Sequence, residues 1–287
     1  MTPSSLYKYI PFCAPKIALD KKLQRKRIKC FENGEIWYPK ASKLNDPYEC
    51  SPDFILVDDD IDLIVDSLTE EEFIFIKDKN GVSTKENLIR VLKTPNVIKL
   101  PALSKQPTIP TDFIHRSLFF AIISALSSHY LSTIGVLSLT DNPFDLKMWA
   151  HYGGNSTGVC VEFQRNSENI LGSESTKSVS YLTERPQIKF HERHLRQEEI
   201  VTSKSKEWGY EHEWRHWRKN GDKPYPFPGK IVRVIFGLNC HPATIEIIKG
   251  IFDDAVAFEE IVLGKDYSMT TDYGLKHSLS KVNIDWS

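Results

Sequence analysis

The segment from Trp208 to Trp217 constrains the fold of this chain more than any other, and its sequence is WGYEHEWRHW. With a period of two, Glu211, Glu213 and Arg215 share one face, while aromatic and imidazole side chains share the other. Such alternation is typical of a β-strand whose two faces differ in polarity. The strand interpretation therefore predicts a Glu-x-Glu pair on one side of a strand, beside a cleft.

The same segment also contains a possible metal motif, His212-Glu213-x-x-His216. On a helix, this HExxH pattern places both imidazoles one turn apart with a glutamate between them, as in zinc hydrolases. Glu246, on a later predicted helix, is the candidate third ligand. A zinc metallohydrolase is therefore one hypothesis for this chain.

Several features of the segment argue against a zinc-binding helix. Trp214 and Arg215 occupy motif positions that are normally small or uncharged, and a guanidinium beside a dication is unfavourable. Gly209 also weakens a helix that begins upstream. We therefore favour the strand and expect no metal site.

The composition predicts an ordinary folded protein of the cytoplasm. The 287 residues carry a formal net charge of -1 and are 40% hydrophobic, which suits one domain and argues against general disorder. The five cysteines are far apart and form no C-x-x-C motif, so reduced thiols are expected rather than disulfides or zinc. The most apolar segment, Leu118 to Leu126, is too short to span a bilayer, so we expect no membrane partner.

The order of the strand and helix patterns predicts an α+β fold, with residues 1–287 forming a single domain. A helical insertion is expected at about 58–130. Outside it, strands are expected at Leu6–Tyr9, Glu35–Pro39, Ile134–Thr140, Gly158–Phe163, Val179–Leu182, Ile231–Phe236, Ala255–Leu263 and His277–Asp285. Helices are expected at Ile17–Phe31, Asn142–Tyr152, Gln187–Glu207 and Pro242–Phe252.

Four local sequences together resemble a known family. They are Leu6-Tyr-Lys-Tyr9, Asn45-Asp-Pro-Tyr-Glu49, Met148-Trp-Ala-His-Tyr152 with Gly158-Val-Cys-Val-Glu-Phe163, and Trp208-Gly-Tyr-Glu-His-Glu-Trp-Arg215. In this order they resemble a widespread bacterial family known as domain of unknown function 2971, over about 6–252. An LYKYR opening is common in that family, and here Ile10 stands where the arginine would be.

That family is distantly similar to ADP-ribosyltransferases, including those of toxin and phage-defence modules. The similarity implies a split antiparallel sheet that grips NAD as a substrate, with a late glutamate as the key residue. Such transfer needs a carboxylate that stabilises an oxocarbenium-like ribose, so Glu213 and Glu211 are the expected catalytic pair, in which one carboxylate holds NAD and its neighbour activates the acceptor. Glu213 is the first choice for the primary role, and Glu211 is the alternative. The residues expected to contact NAD are Tyr7, Tyr9, Asn45, Asp46, Trp149, His151, Tyr152 and Arg215.

Two basic clusters suggest the acceptor. They comprise Lys21, Lys22, Arg25, Lys26, Arg27 and Lys29, and then Arg185, Lys189, His191, Arg193, His194 and Arg196. If both clusters border the site, they would attract a polyanion, so RNA or DNA is preferred over protein as the acceptor. Solvated helix faces are the simpler explanation.

The family resemblance also implies a bacterial toxin or phage-defence effector, for which an antitoxin protein is a possible partner. A non-catalytic binding module, in which the Glu-x-Glu face recognises a partner, is a further alternative. No Walker A loop, G-x-G-x-x-G or G-x-S-x-G element is present in the sequence, so kinase, Rossmann dehydrogenase and serine hydrolase functions lack support.

Overall fold

A computed structural model describes residues 2–12, 18–55, 60–80, 83–93, 111–252, 255–266 and 268–272. Its helices are α1 (Ala18–Glu32), α2 (Ile61–Asp66), α3 (Glu70–Asn80), α4 (Lys85–Lys93), α5 (Thr111–Thr133), α6 (Leu146–His151), α7 (Gln197–Thr202) and α8 (Pro242–Lys249). Within these ranges, no helix has both the length and the apolar character needed to cross a membrane.

The strands of the described residues form one large sheet and three two-stranded ones. They are β1 (Ser5–Ile10), β2 (Glu35–Tyr38), β3 (Asp53–Ile55), β4 (Ile134–Thr140), β5 (Val159–Gln164), β6 (Thr176–Ser178), β7 (Ser180–Leu182), β8 (Gln187–Lys189), β9 (Ser203–Ser205), β10 (Glu213–Lys219), β11 (Lys223–Pro226), β12 (Ile231–Phe236), β13 (Ala257–Leu263) and β14 (Met269–Thr271). The large sheet has the order β14-β13-β12-β5-β1-β4-β10-β6. The fold is therefore a mixed α+β arrangement, as the sequence predicts.

The large sheet is covered on both faces. On one face, Leu137, Val161 and Val234 pack with Phe31 of α1 and Ile248 of α8. On the other face, α6 packs its Met148 and Trp149 against alternate residues of β1, β5 and β12. Burial on both faces explains why the central strands are apolar almost throughout instead of alternating.

The sheet opens in its centre, between β1 and β4. Six residue pairs join β1 to β5, whereas within these fully described strands a single pair, Tyr7 opposite Thr140, joins β1 to β4. The side chain of Lys8 bridges the opening, and its Nζ donates to the carbonyl of Ser138 at 2.7 Å. The gap therefore creates a cavity inside a sheet that is otherwise continuous.

Helices α2 to α5 form an apolar cluster of their own around Phe190. Arg193, whose side chain is fully buried, anchors this cluster to the segment that follows the large sheet's β6. Its guanidinium donates to both carboxylate oxygens of Glu72, at 3.1 and 2.5 Å, and to the hydroxyl of Ser67 at 2.9 Å. The helical segment is thus held by a buried ion pair as well as by apolar contacts.

Two predicted features of the fold are wrong, and one cannot be compared. The long helix predicted at Gln187–Glu207 is replaced by β8, the short α7 and β9, because parallel pairing with β3 and β7 overrides the local helical pattern. The large sheet is mixed rather than antiparallel, since β12 runs parallel to β13. The strand predicted at His277–Asp285 lies outside the described residues.

Candidate active site at the opening of the sheet

The strand register places Glu213 beside the opening between β1 and β4. Tyr7 lies opposite Thr140, and Thr140 lies opposite Glu213 on its other side. Residues directly opposite one another in a sheet project to the same face. Tyr7, Thr140 and Glu213 therefore form a row that crosses the opening on one face.

A cavity of about 120 Å³ lies at this row, and we call it the inner cavity. It is lined by Tyr7, Lys8, Tyr9, Pro39, Leu44, Asn45, Glu49, Ser138, Leu139, Thr140, Met148, Tyr152, Lys204, Glu211 and Glu213. A second cavity of about 290 Å³, the outer cavity, shares Lys8, Tyr9, Pro39 and Tyr152 with it. Together they reach the ~300–1,000 Å³ typical of ligand sites.

A different cavity of about 400 Å³, bounded by Tyr48, Arg185 and Lys204, is larger than either of these. Its wall includes neither Glu211 nor Glu213. We place the site at the inner cavity, because it collects the buried charged groups that chemistry requires.

Lys204 is the centre of a buried charge cluster at the base of the inner cavity. Its ammonium lies 2.5 Å from Glu211, 3.1 Å from Glu213 and 3.2 Å from Glu49. All four side chains are almost completely buried. Three buried carboxylates that converge on one ammonium leave an excess of negative charge, which a second cation would reduce.

Arg215 supplies that second cation. Its Nε and Nη2 donate to the two oxygens of Glu213 at 2.8 and 2.9 Å, and Nη2 also contacts Glu49. Nη1 donates to the carbonyl of Val201 at 2.5 Å and to the Cys50 sulfur at 3.7 Å. All N–H groups are engaged and Arg215 lies outside the cavity wall. Arg215 was expected to contact NAD. In the structure it instead holds the carboxylate of Glu213 in position from outside the cavity.

Glu211 reaches the cluster from a turn rather than from the strand. A 3-10 turn ends at Glu211, and His212 follows in the left-handed region with φ of 47° before β10 begins at Glu213. The Thr140 hydroxyl donates to the Glu211 carbonyl at 2.7 Å and fixes this corner. The prediction that both glutamates share one strand face is wrong, yet both carboxylates contact Lys204.

The zinc motif lacks the helix on which it depends. Glu213 and His216 lie on β10, so the two histidines are not one helical turn apart. His216 is buried and pairs through Nδ1 with the Tyr38 hydroxyl at 3.1 Å, whereas the exposed His212 lies 3.4 Å from Asp141. Among the described residues, no group of three His, Cys, Asp or Glu could hold a metal ion.

The expected aromatic contacts separate into cavity and core residues. Tyr7, Tyr9 and Tyr152 line the inner cavity, while His151 lines only the outer one. Trp149 is fully buried, donates to the Pro143 carbonyl at 2.9 Å and packs edge-to-face on Tyr9. Trp149 therefore supports the cavity wall from behind instead of contacting a ligand.

The two polar turn residues also differ in their roles. Asn45 lines the inner cavity and donates from Nδ2 to the Tyr152 hydroxyl at 3.0 Å. Asp46 is buried, and its carboxylate accepts from the backbone N–H of Tyr48 at 2.9 Å. Asp46 thus shapes the loop that delivers Glu49, and it lies outside the cavity wall.

Lys8, Glu49 and Lys204 are site residues that were not predicted from the sequence. A signal existed for two of them, because Lys8 interrupts an aromatic strand opening and Glu49 ends the Asn45-Asp-Pro-Tyr-Glu49 segment. Lys204 had no such signal, since it lies among the polar residues of a segment predicted to be a charged helix. Lys204 faces the glutamates because its strand, β9, pairs with β7.

Burial and charge act in opposite directions on these ionisable groups. Burial raises the pKa of Glu213, which the charge of Lys204 opposes and that of Glu211 reinforces. Burial alone would lower the pKa of Lys204, but Glu213 and Glu211 outweigh it and hold that pKa above its usual value. Burial lowers the pKa of Lys8 to about 8, although the same glutamates oppose it. Such perturbed groups in a cavity are typical of functional sites.

The two basic clusters differ in how much charge they leave available. In the second, Arg193 is buried against Glu72, and Arg196 is held by Glu199 at 2.7 and 2.8 Å. In the first, Arg25, Lys26 and Lys29 are exposed, and Arg27 lines the outer cavity. The side chains of Lys21 and Lys22 lie outside the described part. The first cluster is therefore the better placed to attract an anionic partner to this site.

Part of the chain is similar to a known protein family. A model of the proteins of unknown function termed DUF2971 matches residues 148–216. The matched stretch contains Tyr152, Lys204, Glu211 and Glu213, whereas Tyr7 and Glu49 precede it. No curated protein and no solved structure matches the chain. The segment that carries the paired glutamates is thus similar to DUF2971.

Proposed function

We propose that the protein transfers ADP-ribose from NAD to a macromolecular acceptor. The observation that carries this proposal is the placement of Glu211 and Glu213, both bound to Lys204, at a cavity in the opening between β1 and β4. The sequence resemblance to ADP-ribosyltransferases implies a split sheet and a late glutamate at the NAD site. The opening between β1 and β4 and the position of Glu213 beside it support the proposal.

Glu213 is suited to stabilise positive charge on the ribose. When the bond between ribose and nicotinamide breaks, the ribose becomes oxocarbenium-like, and a fixed carboxylate lowers the energy of that state. Arg215 holds both Glu213 oxygens from behind the cavity, at 2.8 and 2.9 Å. This support fixes the carboxylate in place, so that little reorganisation is needed during the reaction.

Glu211 is suited to accept the proton of the attacking group. An acceptor hydroxyl or amine forms the new bond to the ribose carbon as nicotinamide leaves with the electrons of the broken bond, and the acceptor then loses a proton. Glu211 contacts two proton donors of the cavity wall, Tyr152 at 2.6 Å and Lys204 at 2.5 Å. In this assignment it is the general base.

The aromatic side chains and the outer cavity accommodate the remainder of NAD. Tyr7, Tyr9 and Tyr152 offer ring surfaces for the nicotinamide. Arg27 and Lys8 line the outer cavity and are the cations that a pyrophosphate bound there would meet. We prefer RNA or DNA as the acceptor because exposed Arg25 and Lys29 lie on the same helix as Arg27. The toxin or phage-defence role, with an antitoxin partner, is proposed from the family resemblance.

Incubation with labelled NAD and separate RNA, DNA and protein acceptors tests this proposal. Label should pass to one acceptor class, and Glu213→Gln should abolish transfer while the protein stays folded. Glu207→Gln, in the turn that precedes β10 and exposed, is the matched control and should keep full activity. Transfer at the wild-type rate by folded Glu213→Gln would refute the assignment. A wild-type protein that binds neither NAD nor zinc but captures a macromolecule would favour the binding module.

A further inference from the structure

One carboxylate oxygen of the charge cluster lacks a donor. Each oxygen of Glu211 and Glu213 accepts at least one hydrogen bond, from Tyr152, Lys204 or Arg215. Glu49 differs, because Arg215 and Lys204 both approach its Oε1. Its Oε2 is buried and has no hydrogen-bond partner among the described residues. A buried acceptor without a donor is costly, and native proteins rarely leave one.

The position of Glu49 indicates what could supply the donor. Glu49 belongs to the wall of the inner cavity, together with Glu211 and Glu213. The cations of the cluster are already directed at other oxygens, and Lys8 is bonded to the Ser138 carbonyl across the opening. A ligand group that satisfies Oε2 must carry an O–H or N–H, and with three carboxylates nearby it cannot be anionic.

We infer that Glu49 binds the substrate directly, with Oε2 accepting a hydrogen bond from a neutral donor on the nicotinamide-ribose half of NAD. This inference rests on the proposed function and adds a third carboxylate to the pair found from the sequence. Two groups of that half carry the required chemistry, the carboxamide N–H₂ and the ribose hydroxyls. The anionic pyrophosphate then lies on the side of Lys8 and Arg27.

Substrate analogues test this contact in the unmodified protein. Binding of NAD is compared with that of 3-acetylpyridine adenine dinucleotide, which lacks the carboxamide N–H, and with NAD deoxygenated at the nicotinamide ribose. One analogue should bind about 10- to 100-fold more weakly than NAD, the range expected for a hydrogen bond to a charged group. The identity of that analogue distinguishes carboxamide from ribose. Equal binding of NAD and both analogues would overturn the inference while leaving the proposed function intact.

The variant Glu49→Gln completes the comparison. In this variant, Arg215 and Lys204 will keep the glutamine side-chain oxygen at the position of Oε1. The glutamine N–H₂ group then occupies the position of Oε2, where a donor replaces the acceptor. The variant should lose NAD affinity, and its preference for NAD over the sensitive analogue should vanish. Glu184→Gln, exposed and outside the inner cavity, should keep that preference.

A merely structural role for Glu49 would lower the melting temperature but leave the ratio of the two affinities unchanged, which would overturn the inference. The wild-type comparison decides the question even when Glu49→Gln does not fold. If wild-type protein binds neither NAD nor its analogues, both the proposed function and this inference fail.

Discussion

The hydroxyl of Tyr152 donates a 2.6 Å hydrogen bond to Glu211, and this bond connects the end of α6 to the turn before β10. Asn45 donates to the same hydroxyl at 3.0 Å from a third segment. Burial raises the pKa of Tyr152, and its bond to Glu211 raises it further. The hydroxyl therefore keeps its proton at neutral pH and acts as a donor to Glu211.

Tyr152→Phe should lower the transfer rate at least about 10-fold, because Glu211 loses the hydrogen bond that orients its carboxylate toward the cavity, a bond worth roughly 1.5–3 kcal/mol. NAD affinity should change less, since the ring remains in the cavity wall. Rates and melting temperatures of both proteins provide the measurement. Tyr225→Phe loses a hydroxyl bonded to the carbonyls of Lys219 and Asn220, away from both cavities, and should leave the rate unchanged. Equal rates for Tyr152→Phe and wild type would contradict the role of this bond.

Lys8→Met should stabilise the protein at pH 7 by roughly 2 kcal/mol. Burial lowers the pKa of Lys8 to about 8 from an ordinary value near 10.5, so the charged form is disfavoured in the folded state. The lost bond to Ser138 offsets part of the gain. Between pH 8 and 10.5 the unfolded chain holds this proton and the folded chain does not, so wild-type stability rises with pH.

The stability difference between Lys8→Met and wild type should therefore be constant below pH 8 and shrink as the pH rises to 10.5. Denaturant unfolding at several pH values measures it. NAD binding should be weaker in the variant than in wild type below pH 8, where Lys8 is charged in the folded protein. If the stability difference between the two proteins were independent of pH up to 10.5, burial would not disfavour the charged form of Lys8.

Glu72→Gln should destabilise the protein at neutral pH and have little effect near pH 2. Burial tends to raise the pKa of Glu72, but hydrogen bonds from His194 and Arg193 outweigh it and lower the pKa to about 2. The stabilisation is therefore complete above about pH 4.5 and is lost as the pH falls toward 2. Because Arg193 stays buried, the cost at pH 7 should be about 3–5 kcal/mol.

Thermal unfolding of wild type and Glu72→Gln from pH 7 to pH 2 provides the measurement. The stabilities of wild type and Glu72→Gln should differ at pH 7 and become equal near pH 2. Glu70→Gln, at the exposed start of the same helix, is the control, and its stability should follow that of wild type at every pH. Parallel stability curves for wild type and Glu72→Gln would rule out the ion pair as the source of the effect.

The purified protein should contain no stoichiometric zinc, and strong chelators should leave its activity unchanged. His212→Ala should also be active, because His212 is exposed and its neighbour Asp141 lies outside both cavities. Metal analysis and transfer assays in chelator give the answer. One zinc per chain, lost in His212→Ala or His216→Ala, would instead revive the metallohydrolase hypothesis.

Replacing Arg25 and Lys29 with glutamine should weaken acceptor binding without changing NAD affinity. Both side chains are exposed on the helix that carries Arg27, whose own guanidinium contacts the Pro11 carbonyl and should be left intact. If phosphates are bound, affinity should fall steeply with salt, and the double variant should show a shallower salt dependence. Lys177→Gln and Lys265→Gln remove the same charge elsewhere and serve as controls. Salt-independent modification would favour a protein acceptor.

The sequence was sufficient for the elements whose signals are local. The strands at Ile134–Thr140 and Ile231–Phe236 are confirmed, because runs of β-branched and apolar residues bounded by turn signals specify buried strands. The strand character of the segment after His212 is also confirmed. The left-handed turn at His212, which removes Glu211 from that strand, has no local signature, since histidine does not require positive φ.

The charge cluster could not be predicted for a different reason. Lys204, Glu49 and Arg215 come from segments far apart in the chain, and sequence alternation specifies only which face a residue occupies. Whether Arg215 faces a ligand or another protein group depends on how α7 and the loop before Cys50 pack against β10. Such contacts are properties of the tertiary arrangement.

The opening between β1 and β4 makes ligand capacity and stability competing demands. Apart from Tyr7 and Thr140, these adjoining strands forgo the backbone pairing that neighbouring strands use to hold a sheet together. Substitutions that draw the strands together would strengthen the sheet and fill the space a substrate needs. Selection for heat resistance should therefore favour side chains that close the gap between β1 and β4, whereas selection for turnover should favour side chains that keep it open.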